Sequence, residues 1–181
     1  QGDKLSVPNE YATYRDIVGS VFVKRGDIGF LTIDESVALA GRPHRGARAR
    51  YGRALHTEAG RIPGKDYGWG SGGGWGRSHT VTLDRGVRIL ISSSLADSCA
   101  VWGGEHEDTS LDGDIGYVSD EYPYSDARLL GAGEVAEIGF LTPHESLPVT
   151  SDTKRQFLRI VSSGVYGRED YFTRNPLVRF Q

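Results

Sequence analysis

Cysteine is nearly missing from this 181-residue chain: Cys99 stands alone, so no intrachain disulfide can form. A single cysteine suits a reducing compartment, and an intracellular, cytoplasmic location is the expectation. Methionine is absent altogether and the chain opens at Gln1. That is the pattern of a processed or truncated product, so residues upstream of Gln1 are expected. No apolar run approaches the ~20 residues that cross a bilayer, and no signal peptide is visible. An excess of positive charge is missing too. The 21 Lys and Arg against 24 Asp and Glu leave a net charge of −3, which argues against nucleic acid as a partner.

Glycine is abundant instead. Its 25 copies are about twice the average share. With few long helical patterns, this suggests short strands joined by turns. The length suits one domain over residues 1–181, large enough to bury roughly 70% of its unfolded surface without staples.

Tyr11, Tyr14, Ile17 and Val18 fall at helical spacing behind Pro8, which predicts a short N-terminal helix. Beyond Gly19 the pattern turns extended. Strands are predicted at 20–24, 28–33, 80–83, 87–92, 98–102, 135–141 and 156–162, with a helical turn at 125–130 ending at Gly131. Gly103 to Tyr124 is acidic and turn-rich, and Arg42 to Arg53 reads as a solvated basic loop. Gly64 to Ser78 has no period but carries Trp69 and Trp75, a long loop of the kind that is usually functional. About eight strands in this length predict a sandwich or jelly roll. The run Ile28-Gly29-Phe30-Leu31-Thr32 recurs as Ile138-Gly139-Phe140-Leu141-Thr142, which reads as two equivalent strands sharing a pattern.

Five histidines are present, and two open a His-x-carboxylate triplet: His56-Thr57-Glu58 and His106-Glu107-Asp108. Residues i and i+2 of an extended segment point to one face, so either pair could grip one metal ion. A distant histidine would complete a two-His-one-carboxylate facial triad with open positions. His144, placed at the end of the 135–141 strand, is that candidate. Arg155 and Arg159 share one face of the following strand with Phe157 between them. An inward guanidinium there needs an anion, and a carboxylate held by two prongs fits it.

A His-x-Glu triplet, a distal His and an Arg some ten residues later on the last strand together resemble the iron- and 2-oxoglutarate-dependent oxygenases. The stretches "SSLADSCAVW" (93–102) and "GEVAEIGFLTPHESLPVTSDTKRQFLRI" (133–160) look like that family's middle and closing strands. The resemblance implies a double-stranded β-helix, which is a jelly roll, with Fe(II) and 2-oxoglutarate as cofactors. It implies that His144 is the distal iron ligand and that Arg155, with Arg159 as second choice, holds the distal carboxylate of 2-oxoglutarate. His56 and Glu58 are preferred as the first pair, because the 38 positions between His106 and His144 hold too few strands. Glu58 stands where the family pattern has Asp. Trp69 and Trp75 would form a lid over a substrate whose identity the sequence leaves open.

Two other classes share the strand pattern. One is a metal-free jelly roll that is structural, self-assembling or ligand-binding. The other is an iron-free remnant of the oxygenase fold that binds a partner.

Overall fold

The computed structural model describes residues 28–43, 51–60, 68–69, 88–107 and 113–162, with the single positions 16 and 19. The predicted N-terminal helix lies almost wholly outside these residues, as do the predicted strands at 20–24 and 80–83 and most of the 64–78 loop, Trp75 included. No helix among the described residues is long and apolar enough to cross a membrane.

The chain is mostly β. Strand β1 (Ile28–Ala38) pairs antiparallel along its length with β9 (Thr153–Ser162), and β9 pairs with β4 (Ile89–Ser93), which pairs with β7 (Val135–Ile138). This gives a four-stranded sheet in the order β1-β9-β4-β7. A second sheet has the order β6-β5-β8, from Arg128–Leu129, Cys99–Val101 and His144–Ser146. The segment around His56 adds to its open edge by a single antiparallel bridge to His144. A two-residue ribbon of β2 (Ala59–Gly60) and β3 (Gly68–Trp69) continues from that segment.

Strand alternation explains which residues face inward. Along β4, Ile89 and Ile91 are buried with Ala136 and Ile138 of β7 and Val161 of β9, and Cys99, Leu130, Phe140 and Leu141 close the same cluster. On β9 the inward positions are Arg155, Phe157, Arg159 and Val161, opposite Ser93, Ile91 and Ile89 of β4 for the last three. The interior is therefore apolar at the β4–β7 side and polar toward β8 and β9. A second cluster of Leu55, Ala100, Trp102 and Ile115 lies on the other face of the smaller sheet. It is covered by 3-10 turns at Gly116–Glu121 and Tyr124–Asp126. Between β6 and β7 the chain reverses at Gly131–Glu134, where Gly133 has φ +72°, a conformation that glycine adopts without a Cβ clash.

Several expectations shift. The helical turn predicted at 125–130 is a 3-10 turn that runs into β6. The first strand continues to Ala38, and the last starts at Thr153. The repeated motif does not form equivalent strands. Its first copy lies in β1, whereas the second leaves β7 after Ile138. There Thr142 N–H donates to Gly139 O (3.2 Å) and Gly139 N–H donates to Thr142 Oγ1 (2.9 Å), a tight turn. Thus His144 does not end the 135–141 strand but opens β8 in the opposite sheet. Pro143, which favours an extended residue before it, stands between the turn and β8.

Replacing Ile91, 2% exposed within the main cluster, by Ala leaves a cavity that the packed neighbours cannot fill. Ile91→Ala is expected to cost ~2–5 kcal/mol in denaturant unfolding. A loss below about 1 kcal/mol would show that this face is not the core.

Candidate metal centre

His56 and Glu58 come from an extended segment, and two residues along it both side chains turn to the inner face. His144 sits directly across from His56: each donates its N–H to the other's carbonyl, at 3.0 and 2.9 Å. The two imidazoles lie with ring centroids 4.2 Å apart. One ligand atom each from His56, Glu58 and His144 falls within 4.8 Å of the others, so this group could hold a metal ion. The three residues singled out from spacing are thus brought together, and Glu58 and His144 are buried.

The orientation of the rings suits a metal. His56 Nδ1 is 2.7 Å from Ala54 O, and His144 Nδ1 is 2.9 Å from Thr142 O. A carbonyl only accepts, so each Nδ1 carries a proton, and it is Nε2 of the neutral ring that offers a lone pair to a metal. A backbone carbonyl behind a ligating histidine is the usual means of fixing its tautomer and direction. His144 Nε2 lies 3.6 Å from Glu58 Oε1.

Arg159 NH1 donates to the same Glu58 oxygen at 2.8 Å. Burial pushes the Glu58 carboxyl up, but the Arg159 guanidinium, aided by both histidines, outweighs it and holds Glu58 well below the usual carboxylate range. Glu58 is therefore ionised, as a ligand must be. Burial, reinforced by the neighbouring His144, pushes His56 down to about 4, which keeps its imidazole neutral at physiological pH.

Arg155 has a different environment. It is 3% exposed. Its Nε donates to Ser93 Oγ at 3.0 Å, NH1 to Ser146 Oγ at 3.2 Å and NH2 to Cys99 Sγ at 3.0 Å, and its guanidinium lies 5.1 Å from the Phe157 ring. None of these is an anion. Burial pushes the Cys99 thiol up despite the nearby guanidinium, so the sulfur is a neutral thiol. Ser146 lies two residues along β8 from His144, roughly 6–7 Å. The two arginines thus divide: Arg159 has an anion in Glu58, and Arg155 has hydroxyls and a thiol.

The other expectations fall outside the centre. His106 is half-buried: its Nδ1 is 2.9 Å from the Tyr122 hydroxyl, its ring packs edge-on against Tyr122 and its backbone N–H donates to Leu141 O. Among the described residues it joins no group that could hold a metal ion, and Asp108, its candidate partner, lies outside them. Trp69 pairs through its backbone with Ala59, next to Glu58.

Two further residues hold the centre from behind. Arg53 was expected in a solvated loop. Instead it donates through Nε and NH2 to Glu145 Oε2 (3.1 and 2.8 Å) and through NH1 to the carbonyls of Ser119 and Tyr122. Its guanidinium stacks 4.3 Å from the Tyr124 ring. Glu145 Oε1 accepts Ala54 N–H at 3.0 Å. This pair locks the His56 segment to β8. Only the adjacency of Glu145 to His144 hinted at it.

No family model, curated protein or solved structure matches this chain.

His56 generates a pH dependence in the metal-free protein. Its unfolded form takes up a proton near pH 6.5 and its folded form only near 4, so stability is fully present above about pH 6.5 and falls as pH drops toward 4. At about 1.4 kcal/mol per unit, the loss is on the order of 2–3 kcal/mol. Glu58 adds a further loss, but only below its unfolded value of 4.5. Unfolding of His56→Gln between pH 7 and 4.5 should be markedly flatter than that of the parent. Parallel curves would contradict a depressed His56.

Proposed function

We propose that this chain is a double-stranded β-helix oxygenase that uses Fe(II) and 2-oxoglutarate. The strand arrangement supports the fold. Taken in chain order, β1, the His56 segment, β4 and β5 alternate between the two sheets, and β6, β7, β8 and β9 alternate again. That interleaving is how a jelly roll winds. His56, Glu58 and His144 would hold the iron as a facial set of two imidazoles and one carboxylate. Bound there, iron with 2-oxoglutarate and dioxygen would supply an oxidation of the substrate coupled to decarboxylation of the cosubstrate.

The observation that carries this reading is Arg155. A buried guanidinium whose described partners are all neutral is costly unless an anion completes it. Ser93, Ser146 and Cys99 hold it in one orientation beside the metal-binding residues. A short dicarboxylate could reach from the metal to Arg155 along β8, its far carboxylate accepting from the guanidinium. The protein's share is to fix the two imidazoles through Ala54 and Thr142, to keep Glu58 ionised, and to hold the Arg155 guanidinium away from water.

One observation favours the metal-free alternative, a jelly roll that binds or assembles. Arg159 already neutralises Glu58, so the interior is charge-balanced there without a cation. Metal binding separates the two. Under anaerobic conditions the protein is expected to take up one Fe(II), and His144→Ala to abolish it, since three ligands leave none to spare. Absence of stoichiometric Fe(II), with ordered self-assembly, would establish the alternative. Arg155→Lys keeps the charge but loses the fork, and is expected to weaken 2-oxoglutarate binding by ~1–3 kcal/mol in titration calorimetry. Equal heats would remove Arg155 as the anchor.

A further inference from the structure

The row of inward residues at the level of the metal-binding trio does not end at His56. Val101, His144, His56 and Asp114 stand opposite one another across successive strands, and directly opposed residues of antiparallel pairs project to one face. The bonds Thr57 N–H to Gly113 O (2.9 Å) and Ile115 N–H to Leu55 O (3.2 Å) flank the His56–Asp114 pair. That makes it the closely spaced, non-hydrogen-bonded kind. Burial agrees, since Leu55 and Ile115, out of phase with it, pack together on the opposite face. Asp114 therefore places a carboxylate beside His56, on the face that carries the trio.

This carboxylate is half used. Asp114 is 6% exposed. Its Oδ1 accepts Gly116 N–H at 3.0 Å, while its Oδ2 is buried with no hydrogen-bond partner. A buried acceptor left unmade costs free energy, most of all when it is charged, and such a group in a native structure marks a place for an ion, a water or a ligand. Two tyrosines lie on the same strip of chain. Tyr51 and Tyr117 are 54% and 45% exposed and meet edge-on at 6.0 Å. Gly116 sits between Asp114 and Tyr117, and a Cβ there would come within 3.1 Å of Tyr51 Cβ, so glycine lets Tyr51 lie against the strand.

We propose that Asp114, with Tyr51 and Tyr117 at its rim, is the subsite for a protonated amine carried by the substrate beside the metal-binding trio. A neutral hydroxyl could donate to Oδ2, but an ammonium donates a stronger, charge-assisted hydrogen bond to a carboxyl group. Tyrosine faces attract cations as well. The inference rests on the oxygenase reading only for what happens to the amine once bound; the binding itself needs no metal.

Benzylammonium and its neutral counterpart, benzyl alcohol, test this on the metal-free protein by ligand-observed NMR titration. Benzylammonium should bind saturably and benzyl alcohol roughly tenfold more weakly or worse. Asp114→Asn keeps the Oδ1 acceptor for Gly116. It should weaken benzylammonium by roughly tenfold. Tyr117→Ala, at an exposed position, should weaken it severalfold. Equal affinities for the two probes, or benzylammonium affinity unchanged in both variants, would overturn the subsite. L-lysine against Nα-acetyl-L-lysine amide then assigns the amine to a free amino acid or a peptide side chain, by which binds more tightly. Amine binding without Fe(II) binding would sink the oxygenase reading and leave the subsite standing. Fe(II) binding with no preference for benzylammonium would do the reverse.

Discussion

Everything at the centre depends on one short pairing, the bridge between His56 and His144. Two backbone hydrogen bonds join these residues, and one isolated bridge is little with which to hold a metal-binding geometry. The reverse side of the same strands carries the reinforcement. Glu145, next to His144, receives Ala54 N–H and the Arg53 guanidinium, while Arg53 is capped by two carbonyls and an aromatic face. A charge pair this enclosed is not in itself a source of great stability. Its effect is on register. Slipping the 53–58 segment by one residue would strand Arg53 and Glu145 and turn both His56 and Glu58 to the wrong face.

The polar interior follows from that arrangement. On one side of the interior Ile89, Ile91, Ala136, Ile138 and Val161 make an ordinary apolar core. On the other, the inward row of β9 carries two arginines. Each is made tolerable in a different way, Arg159 by an ion pair with Glu58 and Arg155 by three neutral acceptors. The first closes its charge within the chain, and the second meets no anion among its described partners. Three residues that could hold a metal ion, a buried guanidinium with neutral partners and the half-satisfied carboxylate of Asp114 thus share one face. The stability of the core supports a face with unpaired charges.

Local pattern made some of this legible. Alternation was enough to locate the strands that became β4, β5, β7 and β9 to within a few residues, since burial on one face imposes a period of two whatever the partner. It was also enough to group His56 with Glu58, and Arg155 with Arg159, because i, i+2 and i, i+4 positions share a face of any extended segment. The 135–141 strand failed for the same reason turned round. An apolar pattern continues through Gly139 to Leu141, but the Thr142 hydroxyl and the following proline end the strand, and periodicity does not see a side-chain-capped turn.

The sequence by itself determined a mostly β chain without disulfides and the residue types of the candidate centre. Those are properties of composition and of neighbours along the chain. Only the tertiary structure decided that His144 faces His56, that Arg159 and not Arg155 pairs with Glu58, that Arg53 is half-buried, and that Asp114 stands beside His56. Each of these joins residues separated by tens of positions, 101 in the case of Arg159 and Glu58. Which strand lies beside which depends on how two sheets close over a common core, and no local spacing encodes that contact.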